Sequence, residues 1–211
     1  MKTSTTKRPP RKPRADALRN REHILKVAKT IFTRRGADAT IEEITTAAKI
    51  GPGTLYRHFP TRDDLLAAVY IREVEKLAEA QKKFSAELSP VEALRAWLLV
   101  FIDYLAAKII IAPALNAMAC GTSEIFQQSG RIMEEAANEL ASRAIASEDL
   151  RPDVDTMDML RAIYGIASAG NTDDWPAKAR RFVDVLIQGS RPAPTSTAPH
   201  FPATSTKSRK R

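Results

Sequence analysis

Two helix start signals lie close together between residues 40 and 60, and this spacing constrains the fold more than any other feature of the chain. The run from Thr40 to Glu43 is typical of a capping box, in which two side chains satisfy two free backbone amides. Gly51 suits an N-cap, Pro52 suits the first helical position, and Pro60 favours an end. The sequence therefore predicts a helix, a turn of a few residues, and a two-turn helix over 52–59.

The second of these helices has one inward side. At about 100° per residue, Leu55 and Phe59 fall within roughly 40° of each other, which makes them the anchoring pair. Arg57 then points in the opposite direction. The outward and lateral positions are Gly53, Thr54, Tyr56, Arg57 and His58. The helix is therefore expected to present polar side chains to a partner rather than to a core.

Two helices joined by such a turn are typical of a helix-turn-helix, whose second helix enters the DNA major groove. Arg57 suits a bidentate pair with guanine, and the Thr54 methyl group or the Tyr56 ring suits a thymine methyl. Gly53 permits a close approach of the backbone. The side chains expected to hold phosphates are Thr40, Tyr56, His58 and Arg62.

The segment Ile24–Tyr70 resembles the TetR family of repressors, and the carrying motif is Gly-Thr-Leu-Tyr-Arg-His-Phe at Gly53–Phe59. The segment Leu150–Ser168 and the final helix resemble the SbtR-type C-terminal domain. The resemblance implies a homodimer that binds a pseudo-palindromic operator. It also implies that a small molecule in the larger C-terminal domain releases the operator.

One position departs from the family pattern, because Lys49 stands in the turn where glycine is usual. If that backbone is left-handed, lysine costs about 1 kcal/mol relative to glycine. Lys49 also adds a candidate phosphate contact.

The rest of the chain shows helical spacing and no alternating strand pattern of any length, so we predict an all-α fold. The predicted domains are a basic arm (1–14), a DNA-binding domain (15–62, with its motif at 40–59), a ligand-binding and dimerisation domain (63–189) and a basic tail (190–211). Predicted helices cover 15–35, 61–85, 90–107, 109–119, 122–147, 153–169 and 175–188. The apolar stripes of the last two helices suit either a four-helix dimer interface or the core of one subunit.

The net charge of +8 is concentrated in the two proline-containing arms, which hold eleven basic and no acidic side chains. A basic front suits a polyanion. Arg11, Lys12 and Arg14 precede the first predicted helix and are candidates for an adjacent minor groove. The alternative is an unstructured tail that adds only non-specific affinity.

A cytoplasmic protein is the simplest interpretation of the remaining features. The first residues carry no apolar segment of the kind found in a secretion signal. The apolar stretch 97–119 is long enough to span a bilayer, but Asp103, Lys108 and Pro113 favour a buried core or cavity wall. The single cysteine, Cys120, has no partner for an internal disulfide.

No enzyme, metal site or cofactor is expected, because the three histidines have no nucleophile or ligand partners at useful spacing. The alternatives to an operator reader are a DNA-coating architectural protein and an effector-binding module without a repressor role. The apolar region 63–189 is larger than DNA contact requires, which favours a sensor.

A pocket for a small molecule is expected within that region, where aromatic and polar side chains recur. The candidate ligand-binding residues are Trp97, Phe101, Asp103, Tyr104, Asn116, Met118, Phe126 and Gln127. The alternative is that the aromatic side chains only fill the core.

Overall fold

The computed structural model describes residues 13–116, 123–169 and 174–193, and these residues form eight α-helices without a β-strand. The helices are α1 (Pro13–Arg35), α2 (Ile41–Ala48), α3 (Pro52–His58), α4 (Arg62–Glu87), α5 (Pro90–Asn116), α6 (Ser123–Ala146), α7 (Thr156–Ala169) and α8 (Trp175–Gly189). The predicted all-α class is confirmed.

The helices α1 to α3 form an N-terminal unit around Ile24, Phe32, Ile44, Leu55 and Phe59, all of which are buried. Gly36 adopts the left-handed conformation, with φ of 58°, and a single 3-10 turn spans Gly36–Asp38. Such a backbone costs glycine little, which explains why α1 stops there.

Capping boxes start both α2 and α4, and the one at α2 is the box predicted from Thr40 to Glu43. At α2, the Glu43 amide donates to Thr40 Oγ1 at 3.1 Å, and the Thr40 amide donates to Glu43 Oε2 at 3.0 Å. At α4, the same exchange joins Thr61 and Asp64, again at 3.0 Å in both directions. The starts of both helices therefore follow from four consecutive residues each.

α4 belongs to both halves of the molecule. Its first turns bury Leu65, Leu66 and Val69 in the same core cluster as α1 and α3, while Val74 and Leu77 continue that cluster towards α5. The N-terminal unit and the rest of the chain therefore share one helix and one continuous core.

The structure corrects the prediction of two helices over 90–107 and 109–119. Pro90–Asn116 form the single helix α5, which continues past Pro113, and residues 117–119 lie outside the described ranges. Buried Ile111, Ala114 and Leu115 hold its last turn against the core, whereas Pro113 itself faces outwards. Packing of this apolar side offsets the backbone hydrogen bond that proline cannot donate.

Among the described helices, α5 is the one that is long and apolar enough to cross a membrane, and half of its most apolar window is buried in the protein. It packs against α4, α6 and α8. Its position is that of a central core helix.

The last two helices pack against each other and against α5. The backbone amide of Arg151 donates to the carbonyl of Ser190 at 2.9 Å, which ties the end of α8 to the loop before α7. α7 begins at Thr156 instead of 153, and its first turn is capped by Asp155, whose carboxylate accepts from the Met157 amide at 2.7 Å.

Candidate nucleic-acid interface and ligand cavity

The turn between α2 and α3 has a defined geometry at Lys49, Ile50 and Gly51. Lys49 has φ of 54° and ψ of 45°, in the left-handed region. Its amide donates to the Thr46 carbonyl at 3.2 Å, and the Ile50 amide donates to the Thr45 carbonyl at 3.1 Å. These two hydrogen bonds are those of a Schellman motif. Lys49 therefore occupies a backbone conformation in which lysine is less favourable than glycine.

α3 is a separate short helix held by its two predicted anchors. Leu55 is 0% exposed and Phe59 is 2% exposed, whereas Arg57 is exposed and Tyr56 retains 47% of its surface. The Arg21 guanidinium of α1 lies 4.5 Å from the centroid of the Phe59 ring and covers this anchor. α3 therefore has one face in the core and the opposite face open.

Gly53 and Arg57, on the open face of α3, have no packing or ion-pair role within the described part of the protein. A Cβ atom added at Gly53 would meet no atom within 4 Å, so packing does not require glycine there. Arg57 forms no ion pair with any residue in the described ranges. Both features suit contact with another molecule.

Two side chains that are predicted to contact DNA phosphates also form hydrogen bonds within the protein. The Thr40 hydroxyl takes part in the α2 capping box. Arg62 donates from Nε to the Ala39 carbonyl at 3.1 Å and lies over the Phe32 ring. His58, in contrast, is half-buried beside Phe59 at the end of α3, with ring centroids 6.2 Å apart.

The basic arm is largely outside the described residues. Arg11 and Lys12 are not described, and Arg14 lies in the first turn of α1. Arg34 and Arg35 were not among the predicted DNA contacts, and they line a groove of about 590 Å³ between the end of α1 and the start of α2. Two consecutive arginines one turn before the helix-turn-helix were the available signal.

A cavity of about 230 Å³ lies between α5, α6 and α7. Its lining is mainly apolar and includes Phe101, Leu105, Met133, Met157 and Leu160. Larger grooves of about 590 and 750 Å³ occur elsewhere but are lined mostly by charged and polar side chains. A largely apolar lining with a few polar groups is what small-molecule sites require, so this cavity is the candidate ligand site.

Of the predicted ligand-binding residues, the structure brings Phe101 and Tyr104 to the cavity. Trp97 is fully buried and donates from Nε1 to the Leu77 carbonyl at 2.9 Å. Asp103 is on the surface and pairs with Arg180 of α8. Phe126 lies beside the cavity, with its ring edge-on to Tyr70 at 5.4 Å.

The structure describes two of the three other predicted ligand residues, and neither is at the cavity. Asn116 and Gln127 are exposed and do not line it, and Met118 falls outside the described residues. Sequence reasoning missed Lys108, Glu134, Arg161 and Tyr164, which do line it. A lysine within the apolar run of α5 was the signal for the first of these.

Comparison with known proteins identifies both halves of the chain. The sequence pattern of the bacterial regulatory proteins of the tetR family matches residues 24–69, and that of the SbtR-like transcriptional regulator C-terminal domain matches residues 89–192. A TetR transcriptional regulator of Streptomyces coelicolor superposes with a TM-score of 0.75 and 39% identity, over 82% of this chain and 99% of its own. The chain belongs to the TetR family.

Further TetR-family relatives agree with this assignment. The TetR regulatory protein of Mycobacterium vanbaalenii superposes with a TM-score of 0.70 and 28% identity, over 85% of this chain and 99% of its own. The transcriptional regulator AcrR of Shigella flexneri is 30% identical over 44% of this chain and 45% of its own length. UidR of Escherichia coli is 27% identical over 63% of this chain and 58% of its own length. The chain thus spans about half the length of these two curated relatives.

In this TetR-family chain, ion pairs join α1 to α4 beside the helix-turn-helix. Glu73 of α4 is 8% exposed and accepts from Lys29 of α1 at 2.6 Å and from Lys76 at 2.5 Å. Burial by itself would raise the pKa of the Glu73 carboxyl, but the hydrogen bonds from the two lysines outweigh it and lower the pKa. Glu73 is therefore an ionised, nearly buried side chain whose ion pair with Lys29 links α4 to α1.

A second group of ion pairs between α1 and α4 centres on Arg72, which contacts Glu22 of α1 at 3.1 Å and Glu79 of α4 at 2.7 Å. Hydrogen bonds to Glu79 and Glu22 raise the pKa of Arg72 above its ordinary value. The position of α4 is thus coupled to α1 by two ion-pair groups as well as by the core.

Proposed function

We propose that the protein is a homodimeric repressor that reads a pseudo-palindromic operator with α3 and leaves it when a small molecule occupies the α5–α7 cavity. One observation carries the proposal: Leu55 and Phe59 bury one side of α3 while Arg57 is exposed on the other. A helix held in this way enters a major groove without disturbing its own core.

DNA contact is supported by the side chains around α3. Arg57 suits guanine, and Thr54 and Tyr56 suit a thymine methyl group. Lys49 lies in the turn before α3 and His58 is its last residue, and both suit phosphates. Thr40 and Arg62 are proposed as phosphate contacts in addition to their internal hydrogen bonds.

The arm residues Arg11, Lys12 and Arg14 are proposed to add phosphate or minor-groove contacts ahead of α1. Removing residues 1–14 is then expected to flatten the salt dependence of operator affinity, by about 0.9 in the log–log slope for each phosphate that the arm neutralises. An unchanged slope would exclude this role.

Dimerisation through α7 and α8 is supported by apolar exposure on both helices. Tyr164 of α7 is 51% exposed and Val185 of α8 is 62% exposed. Two such helices from each subunit form a four-helix interface when related by a two-fold axis. The same axis would give the two α3 helices the symmetry of a pseudo-palindrome.

The proposal is tested first by DNA selection with the purified protein, followed by affinity measurements at physiological salt on the selected and a scrambled sequence. An operator reader is expected to prefer its site by about 10³-fold or more. A ratio near one would favour a DNA-coating protein instead.

Arg57→Ala tests the reading helix itself. We expect operator affinity to fall by about 1–3 kcal/mol with an unchanged melting temperature, because Arg57 is exposed and forms no ion pair in the described part of the chain. Lys82→Ala, at an exposed lysine of α4, is the matched control and should leave affinity unchanged. Equal effects of both variants would contradict the proposed role of α3.

A further inference from the structure

Lys108 places a positive charge in the wall of the α5–α7 cavity. Its ammonium lies 5.8 Å from the ring centroids of both Tyr104 and Phe126, and the side chain is half-buried. No carboxylate among the described residues pairs with it. A partly desolvated cation without a counter-ion is favourable to an anionic ligand group, because pairing recovers part of the lost solvation.

The other charged groups at the cavity differ from Lys108. Arg161 is already paired with Asp158 at 2.8 Å and has a side chain that is 69% exposed. Glu134 is exposed at the rim. Its negative charge repels a second anionic group on the ligand, so the lining favours one negative charge beside Lys108 and a neutral remainder.

The size and lining of the cavity restrict the uncharged part of the ligand. A volume of about 230 Å³ is below the common range of roughly 300–1,000 Å³ for ligand pockets. It exceeds an engineered cavity of about 150 Å³ that holds benzene. Phe101 and Tyr104 contribute aromatic side chains to the lining, with ring centroids 6.0 Å apart, and Met133 and Met157 supply adaptable apolar contacts. One or two fused rings fit this space.

We infer that the α5–α7 cavity binds a small aromatic monocarboxylate, with the rings on the Phe101 and Tyr104 side and the carboxylate at the Lys108 ammonium. The inference rests on the proposed function, in which this cavity is the effector site. It goes further by assigning the chemical class of the ligand and the residue that selects it.

The test uses the full-length protein and matched pairs of probes, trans-cinnamate with cinnamamide and 2-naphthoate with 2-naphthamide, in isothermal titration at pH 7. We expect each carboxylate to bind at least about 10-fold more tightly than its amide. Lys108→Gln should reduce that ratio to near one, and Lys82→Gln should leave it unchanged. Terephthalate should bind more weakly than either monocarboxylate, because its second charge approaches Glu134.

Gly130→Leu locates the binding site. Gly130 lines the cavity, and a Cβ atom built there meets nothing within 4 Å, so the first carbon of a new side chain fits and the rest of it takes up space in the cavity. The variant should lose binding of the two acids and the two amides while keeping its melting temperature. Unaltered binding in this variant would overturn the assignment of the site.

The outcomes separate the inference from the proposed function. Equal affinity for acids and amides, no binding of any acid, or an unchanged ratio in Lys108→Gln overturns the inference, and a preserved operator preference leaves the DNA-reading role intact. Loss of preference for the selected operator in the wild-type protein refutes the proposed function whatever the probes do.

Discussion

The hydroxyl groups of Tyr70 and Tyr104 are 2.9 Å apart in the buried core, and this hydrogen bond joins α4 to the wall of the α5–α7 cavity. Both side chains are 2% exposed. Burial raises the pKa of Tyr104, and the neighbouring Tyr70 raises it further, so the phenol remains neutral well above physiological pH. Because α4 shares one core cluster with α1 and α3, we expect a change at the cavity to reach the DNA-reading unit through this helix.

Tyr104→Phe and Tyr70→Phe test this hydrogen bond as a pair. Each single variant leaves one buried hydroxyl without its partner, so we expect a decrease of about 1–3 kcal/mol in the free energy of unfolding. The double variant should be destabilised by less than the sum, because neither hydroxyl remains. Urea unfolding of all four proteins measures the difference. Strictly additive decreases would show that the two hydroxyls do not act together.

Lys49→Gly should stabilise the protein, because glycine adopts the left-handed backbone of this position at little cost. The expected gain is at most about 1 kcal/mol. If Lys49 also neutralises a phosphate, the salt slope of operator binding should decrease by about 0.9 when its charge is removed. Lys49→Asn separates the two effects, since asparagine tolerates the left-handed region and lacks the charge. A slope that is unchanged in both variants would exclude the phosphate contact.

The folding stability should depend on pH through Glu73. Its pKa in the folded protein is below the ordinary value of 4.5, so the carboxylate stabilises the fold above about that pH. This contribution disappears as the pH falls through the folded-state pKa. Glu73→Gln should therefore be less stable at pH 7, by about 1–3 kcal/mol, and should show a flatter pH dependence between about pH 6 and 3.

Glu139→Gln, at an exposed position of α6, is the matched control for this experiment and should unfold as the wild type does. Urea denaturation across the same pH series gives the three curves. Parallel curves for the wild type and Glu73→Gln would show that the Lys29–Glu73–Lys76 group does not contribute to acid sensitivity.

Val185→Glu should dissociate the proposed dimer. A carboxylate buried at the centre of an interface costs roughly 3 kcal/mol or more, equivalent to about a 100-fold weaker association. Sedimentation should show monomers, with unchanged helical circular dichroism and weaker operator binding. Leu88→Glu, at another exposed apolar position, should remain dimeric. A dimer that survives Val185→Glu would place the interface elsewhere.

Local features of the helix-turn-helix were predictable because they involve neighbouring residues. The capping boxes at Thr40 and Thr61, the start at Gly51 and Pro52, and the burial of Leu55 and Phe59 all follow from interactions within one or two helical turns. Helical periodicity likewise predicted the all-α class. These features could be predicted because the backbone hydrogen bonds and the side-chain spacing that determine them both involve residues close together in the sequence.

The regulatory half was less predictable, because an apolar stripe shows which side of a helix is buried but not what it packs against. Pro113 suggested a break near the end of α5, yet the packing of Leu115 and its neighbours keeps the helix intact. Trp97 resembled a ligand-binding residue but fills the core. Helix rotation and crossing angle depend on packing over long sequence distances.

By itself, the sequence determined that this chain is helical and that a short, anchored helix presents Arg57 and its neighbours outwards. Only the tertiary structure decided that Lys108 faces the cavity between α5, α6 and α7, and that Tyr104 meets Tyr70 across 34 positions of sequence. The physical reason is range: caps and anchors depend on backbone geometry within a few residues, whereas a cavity exists only where helices distant in sequence fail to fill the space between them.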